Sequence, residues 1–347
     1  MKKVSYSKII QMETDSNFPC VSLYCNSQDE IYDVFLEAQR ILLLEKKDKI
    51  SKKYLNAIFR LVKVKKLRSS DFPIAFFLNG ETHLWTTLPF KSTKTSVVAT
   101  SFHIKPLLKW TQRDMAFTTL HIADQSVFLY EGSVATFTLI NQMSINSSLD
   151  SIRKFKLINQ FLRQNLISSK IPLIVAGQNH SIQSFLDHST YSNILSQTIH
   201  EPDSSLKIFH KQCLNILMPF LKIKEKNTIQ KFYEAKAIGQ TVSNLNDIAV
   251  QVIHRKVKHL LVNENLHLWG ELNKENGSFS YSYNQLNTKD DDILDDLCQI
   301  VLNYGGQVTV LPQESMPGQK AACAIIEKIQ TTYKQKYLQE VQYDAAI

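Results

Sequence analysis

Glycine is scarce in this sequence, at nine of 347 residues. None of the nine builds a G-x-x-x-x-G-K-[ST] loop, so the backbone cradle of a P-loop nucleotide site is excluded. H-E-x-x-H and G-x-S-x-G are also missing, which removes the common zinc-protease and serine-hydrolase signatures. Cysteine is thin. Cys20, Cys25, Cys213, Cys298 and Cys323 are odd in number and lack the paired spacing of a zinc site. Cys298 on a predicted helix and Cys323 in an apolar run suit small buried thiols, and a reducing cytoplasm fits them. No apolar run is long enough to span a bilayer. Met1-Lys2-Lys3 leads into Ser5, Tyr6, Ser7 and Lys8, so no signal peptide is expected.

What the chain does have is basic charge in one place. Residues 1–110 hold 18 Lys and Arg against 10 Asp and Glu, while the other 237 residues hold 22 of each. The whole net charge of +8 therefore belongs to the N-terminal third. An apolar content of 44% is that of a globular protein, so disorder does not account for the charge.

Within that third, residues 46–68 carry ten cations and one acid: Lys46, Lys47, Lys49, Lys52, Lys53, Arg60, Lys63, Lys65, Lys66 and Arg68 against Asp48. At about 100° per residue, Lys49, Lys52, Lys53, Asn56, Arg60 and Lys63 fall on one helix face. Tyr54, Leu55, Ile58, Leu61 and Val62 fall opposite. The pattern predicts a helix with one side in a core and the other offered as a cationic strip. Such a strip suits a polyanion, RNA first among them, or else it is a solvated lysine face.

Apolar runs and turn signals predict three α/β domains, at 1–112, 113–225 and 226–347. The first has strands at 21–24, 73–78 and 83–86, a helix over 29–45, the basic helix, and a turn at Asn79-Gly80. The second has strands near 117–122, 126–130, 135–140 and 172–177, with helices over 149–166 and from 182. The third alternates a helix over 244–256, a strand over 259–262, a loop over 266–272, a strand at 278–283, a helix to Asn303, and strands at 308–311 and 321–326. That alternation argues for an α/β/α sandwich with a polar tail at 333–347.

Three features could carry chemistry. The acids Asp290, Asp291, Asp292, Asp295 and Asp296 could hold a divalent metal, but the first three read as caps at a helix N-terminus and the last two as solvated. His254 and His259 flank a helix-to-strand join and read as surface or structural groups. Gly305-Gly306-Gln307 matches the tripeptide of class I release factors, yet here it closes a helix and enters a strand, which favours a turn. No metal and no cofactor is expected from these patterns.

The third domain resembles the C-terminal domain of Pelota and the archaeo-eukaryotic class I release factors. The resemblance is carried by Val257-Lys258-His259-Leu260-Leu261-Val262-Asn263-Glu264, Leu268-Trp269-Gly270-Glu271-Leu272, Asp292-Ile293-Leu294-Asp295-Asp296-Leu297, Gly305-Gly306-Gln307-Val308-Thr309-Val310-Leu311, Met316-Pro317-Gly318 and Ala321-Ala322-Cys323-Ala324-Ile325-Ile326. Upstream, Phe102-His103-Ile104-Lys105-Pro106-Leu107-Leu108 and the run Ala123 to Gly132 are similar to bacterial members of that superfamily, among them the Balon-like ribosome hibernation factors.

The resemblance implies three α/β domains in a tRNA-like arrangement, ending in an L7Ae-like sandwich. It implies a monomer that enters the A site of the 70S ribosome and contacts rRNA. The N-terminal domain would reach the decoding region, and the C-terminal domain would meet the stalk base or a translational GTPase such as elongation factor Tu. Release factors carry Gly-Gly-Gln in the middle domain, whereas Gly132 to Leu149 here has none. The resemblance thus implies a non-catalytic ribosome-binding factor in hibernation or stress response. The alternatives are a rescue factor that hydrolyses peptidyl-tRNA through Gln307 and an RNA-processing enzyme using acids such as Asp124 or Asp291.

Overall fold

The computed structural model describes residues 1–3, 5–12, 14–15, 17–65, 73–88, 91–112, 115–134, 136–146, 150–166 and 171–327. The chain forms two compact units. One joins residues 1–109 to the C-terminal segment from 226, and the other is 110–225.

In chain order the first elements are β1 (Lys2–Lys3), α1 (Tyr6–Ile10), β2 (Cys20–Cys25), α2 (Glu30–Leu44), α3 (Asp48–Lys65), β3 (Ile74–Asn79), β4 (Thr82–Thr87), β5 (Thr95–Ala99) and α4 (Lys105–Gln112). The sheet runs β1-β4-β3-β2-β5. Its inner strands β2 and β3 are buried along their whole length, as continuous apolar runs require. The hairpin β3–β4 turns at Gly80, whose φ of +56° is one that glycine adopts without strain. Helices α2 and α3 cover the sheet through Val34, Phe35, Ala38, Ile41, Tyr54, Ile58 and Leu61.

Residues 110–225 form a second layer structure. Strands β6 (Phe117–Ile122), β7 (Ser126–Gly132), β8 (Phe137–Ser144) and β9 (Leu173–Gly177) lie in the order β8-β7-β6-β9, with β9 parallel to β6. Helices α5 (Ser151–Asn165) and α6 (Asn179–His188) pack on the sheet through Phe155, Ile158, Phe161, Ile182 and Phe185. Asp150 caps α5 by accepting from the Arg153 amide. Helix α7 (Leu206–Ala237) then continues through Pro219 and past residue 225, so its first part belongs to this unit and its last to the other.

The C-terminal segment holds β10 (Thr241–Val242), α8 (Leu245–Ile253), β11 (Val257–Asn263), β12 (Trp269–Leu272), β13 (Phe279–Tyr281), β14 (Asp291–Asp292), α9 (Ile293–Asn303), β15 (Gln307–Leu311) and β16 (Ala322–Ile326). Its main sheet is β10-β16-β11-β15, and a small one is β13-β12-β14. Helices α8 and α9 contact this sheet, and Phe232 of α7 joins Leu261, Leu311, Met316 and Cys323 in its core. All three expected regions are therefore mixed α/β. The stretch 266–272, expected as a loop, contains β12, which exists because β13 and β14 pair with it from either side. The tail at 333–347 lies outside the described residues. Cys298 and Cys323 are buried, as their contexts suggested, and so are Cys20, Cys25 and Cys213.

The N- and C-terminal segments are held together by buried polar groups. Gln285 gives its side-chain amide to the carbonyl of Val98 at 2.8 Å and accepts from the Val98 amide at 3.1 Å. It thereby caps the edge strand β5 as a neighbouring strand would. Asp295, expected in solvent, is fully buried and accepts from the Ile104 and Lys105 amides. Asp296 is also buried, 3.6 Å from the ammonium of Lys274. The reading of these two acids as solvated is therefore corrected: the partners of Asp295 lie 190 and 191 positions away and that of Asp296 is Lys274, relations that local spacing cannot reveal.

Candidate nucleic-acid interface

Helix α3 forms where the sequence placed it. Tyr54, Ile58 and Leu61 face the core, with Leu55 and Val62 half-buried beside them. The Tyr54 hydroxyl fixes the helix against the sheet. It donates to the Pro19 carbonyl at 3.1 Å and accepts from the Gly80 amide at 2.7 Å. Burial pushes this phenol up to about 12. The Gln39 amide donates to Ser51 Oγ at 3.3 Å, which ties α3 to α2.

The opposite face is solvated. Lys49, Lys52, Asn56, Arg60 and Lys63 are exposed, and among the described residues none of the four cations has an ion-pair partner. From Lys49 to Lys63 the strip is about 21 Å long at the usual helical rise. Two further cations are neutralised. Lys53 pairs with Glu81 in the hairpin turn, and Lys47 pairs with Glu45 at the end of α2. The hydrogen bond from Lys53 holds Glu81 below the usual carboxylate range. Burial tends to raise Glu45, but hydrogen bonds from Lys47 and the Thr288 amide outweigh it and leave the carboxyl lowered.

Lys46 is exposed in the left-handed conformation that ends α2, with φ +57°. Lys65 is the last residue of α3, while Lys66 and Arg68 lie outside the described residues. Of the ten cations read from the sequence, the structure thus aligns Lys49, Lys52, Arg60 and Lys63 as an unpaired row and sets Lys46 at its N-terminal side. The pairing of Lys53 is the feature that sequence missed, because Glu81 is 28 residues away.

A second polar cluster is buried. Lys105 is 1% exposed and donates to Asp292 Oδ2 at 2.6 Å and to the Leu266 carbonyl. His267 Nδ1 lies 3.0 Å from the same oxygen, and Asp292 Oδ1 accepts from the Leu268 and Leu294 amides, capping α9. Burial alone would raise Asp292, but Lys105 and then His267 hold it well below the usual carboxylate range. Asp295 has no such cation on it; burial and the Asp292 charge push it up to about 8. Burial lowers His103, whose two ring nitrogens make no hydrogen bond, although Nδ1 is 3.5 Å from Asp295.

His103, His267 and Asp292 each bring a ligand atom within 4.8 Å of the others. The Lys105 ammonium already supplies the positive charge that this constellation calls for. The cluster therefore serves as a structural junction between the N- and C-terminal segments.

The remaining features read from sequence have plain structural places. Gly305, at φ +87°, closes α9, and the exposed Gln307 begins β15. His254 is exposed at the C-cap that follows α8, and His259 bonds Thr309 Oγ1 at 2.7 Å. Asp124 is exposed in the β6–β7 turn, and Asp291 is buried. No described helix is long and apolar enough to cross a membrane.

No protein-family profile matches the chain, and no curated protein sequence matches it. Among solved structures it is similar to Pelota of Archaeoglobus fulgidus, at 15% identity and a TM-score of 0.39, over 75% of this chain and 81% of that one. It is similar to Dom34 of S. cerevisiae, described as a translation termination-like factor, at 10% identity and a TM-score of 0.35, over 73% and 72%. A third likeness is to the archaeal translation termination factor aRF1, at 12% identity and a TM-score of 0.23, over 94% and 99%.

Proposed function

We propose that this protein is a ribosome-binding translation factor that contacts rRNA phosphates through the exposed face of α3. One observation carries the reading: four unpaired cations line one side of a helix whose other side is locked into a core. A row of that kind fits a phosphate backbone and carries no base specificity. The confinement of all net charge to this third of the chain supports it, since general solubility would not require that asymmetry. The sequence resemblance to Pelota and the class I release factors supplies the ribosome as the source of the RNA, with the A site as the place of binding.

The finer reading is a non-catalytic factor for hibernation or stress, delivered or not by a translational GTPase. The position of Gly305-Gly306-Gln307 favours a non-catalytic role, because the tripeptide is spent on a helix end and a strand start. The test is co-sedimentation with 70S ribosomes at low and moderate salt. The parent binds at low salt and dissociates steeply as salt rises. The triple variant Lys52→Glu, Arg60→Glu, Lys63→Glu binds at least tenfold more weakly with unchanged thermal unfolding. Failure of the parent to bind at low salt overturns the reading; full binding by the triple variant returns α3 to a solvated face.

A further inference from the structure

Along α2, the helix that precedes the cationic one, lies a cleft of about 570 Å³ with walls from both ends of the chain. Its size falls in the range of small-ligand sites. On one side are Leu36 and Arg40 of α2, on the other Trp269 of β12 and Asn284 of the loop before β14, and at the edge Ser96 of β5. The loop is firmly anchored here, through Gln285 on Val98 and the Thr288 amide on Glu45.

Three observations point to one kind of occupant. First, the Trp269 indole is pre-set: His267 stacks on it, with ring centroids 5.5 Å apart and planes 8° apart, and the indole still borders the cleft. A rigid aromatic wall suits a flat ring. Second, the Ser96 hydroxyl is buried in the cleft wall with no hydrogen-bond partner, and the Asn284 amide adds a donor and an acceptor. Tyr283, next to Asn284, is 98% exposed, an unusual position for an aromatic ring that has no partner to meet. Third, the α2 wall supplies both signs of charge: Arg40 is a cation from which the chain continues through exposed Lys46 to the row on α3, and Glu37, one turn before it on the same helix, offers a carboxylate.

We propose that the cleft takes one unpaired nucleobase of a single-stranded RNA, stacked on Trp269 and hydrogen-bonded at its edge by Ser96 and Asn284. The flanking phosphates pass Arg40 toward Lys46 and α3. The assignment rests on the RNA-contact reading of α3 and adds to it a site that tells single strands from duplexes. Paired bases have no free edge and no free face to give, while a splayed base has both. Glu37 fits the same occupant by accepting from an exocyclic amine.

The test uses the full-length protein and a labelled single-stranded RNA of about 12 nucleotides, compared with a hairpin stem of equal length. The single strand binds about tenfold tighter than the stem and quenches tryptophan emission, because Trp85 and Trp110 are buried and Trp269 is the accessible indole. Trp269→Ala lowers the single-strand affinity about tenfold and abolishes the quenching. The milder pair Ser96→Ala, Asn284→Ala lowers the affinity too, and covers the case in which Trp269→Ala unfolds β12. None of these uncharged changes alters the dependence on salt, whereas the α3 charge-reversal variant reduces its slope. Equal binding of strand and stem, or parent-like binding by the Ser96 and Asn284 pair, overturns the cleft assignment and leaves the α3 reading standing. Tight binding of a free mononucleotide overturns it in favour of a small-ligand pocket. Absence of binding to either RNA and to ribosomes fails the α3 reading itself.

Discussion

Lys105 and Asp292, 187 residues apart in sequence, meet at 2.6 Å in an ion pair with almost no solvent exposure. The pair joins the start of α4 to the N-terminus of α9. A buried charge that loses its partner is strongly destabilising, whereas removing both charges together is far milder. Lys105→Met is therefore expected to lower unfolding stability by about 3 to 5 kcal/mol. Adding Asp292→Asn should restore a large part of that loss, since the neutral amide can still accept from the Leu294 amide and cap α9. Urea unfolding of the two single variants and the double variant measures the coupling. Additive losses would show that the ion pair does not hold the segments together.

The same cluster sets a pH dependence. Asp295 titrates near 8 in the folded protein, and an unfolded aspartate near 3.9. Between those values the native state keeps a proton that the unfolded chain releases. Stability from this group is therefore full in acid and is lost as pH rises toward about 8. His103 acts with the opposite sign. Burial lowers its folded pKa, so below about 6.5 the unfolded chain binds the proton and stability falls as pH drops. Melting temperatures should thus decline from pH 6.5 to 8, and Asp295→Asn should flatten that decline while keeping the acceptor for the Ile104 amide. An unchanged slope in the variant would assign the decline to other groups.

Helix α3 shows how much the sequence could say. The rhythm of Tyr54, Ile58 and Leu61 against Lys49, Lys52, Arg60 and Lys63 is a local property, and the folded helix keeps both faces. The hairpin turn after Asn79 was legible for the same reason. What local pattern could not carry is pairing over distance. Asp295 looks solvated until the amides of Ile104 and Lys105 arrive, and β12 looks like a loop until β13 and β14 flank it. The proposed base cleft belongs to this second class, because Arg40, Ser96 and Trp269 come from three separate stretches.

Gly305 and Gln307 separate a structural from a chemical role. Gly305 ends α9 with its amide on the Leu302 carbonyl, and the Gly306 amide reaches Val301. A Cβ at Gly305 meets no atom, so Gly305→Ala costs only the left-handed backbone, about 1 to 2 kcal/mol. Gln307 is exposed, and Gln307→Ala should change stability by no more than about 0.5 kcal/mol. In a peptide-release assay with peptidyl-tRNA on ribosomes, parent and Gln307→Ala should both stay at background. Release by the parent that disappears in the variant would establish the hydrolytic alternative.

Glu81 offers a gain-of-binding test of the cationic strip. Its carboxylate is fully solvated and engages Lys53, which is thereby paired while Lys49, Lys52, Arg60 and Lys63 have no ion-pair partner among the described residues. An exposed pair of this kind contributes little to stability, so Glu81→Gln should leave the melting temperature almost unchanged. It frees one more cation on a face that already presents Lys49, Lys52, Arg60 and Lys63. If the face binds phosphates, ribosome affinity at low salt should rise, and the log-log salt slope should steepen by up to about one. Lys53→Ala should by the same logic weaken binding less than Lys52→Ala, because Lys53 first has to leave Glu81. Equal effects of the two lysine variants, with no change in slope for Glu81→Gln, would mean that the RNA passes the other end of the helix.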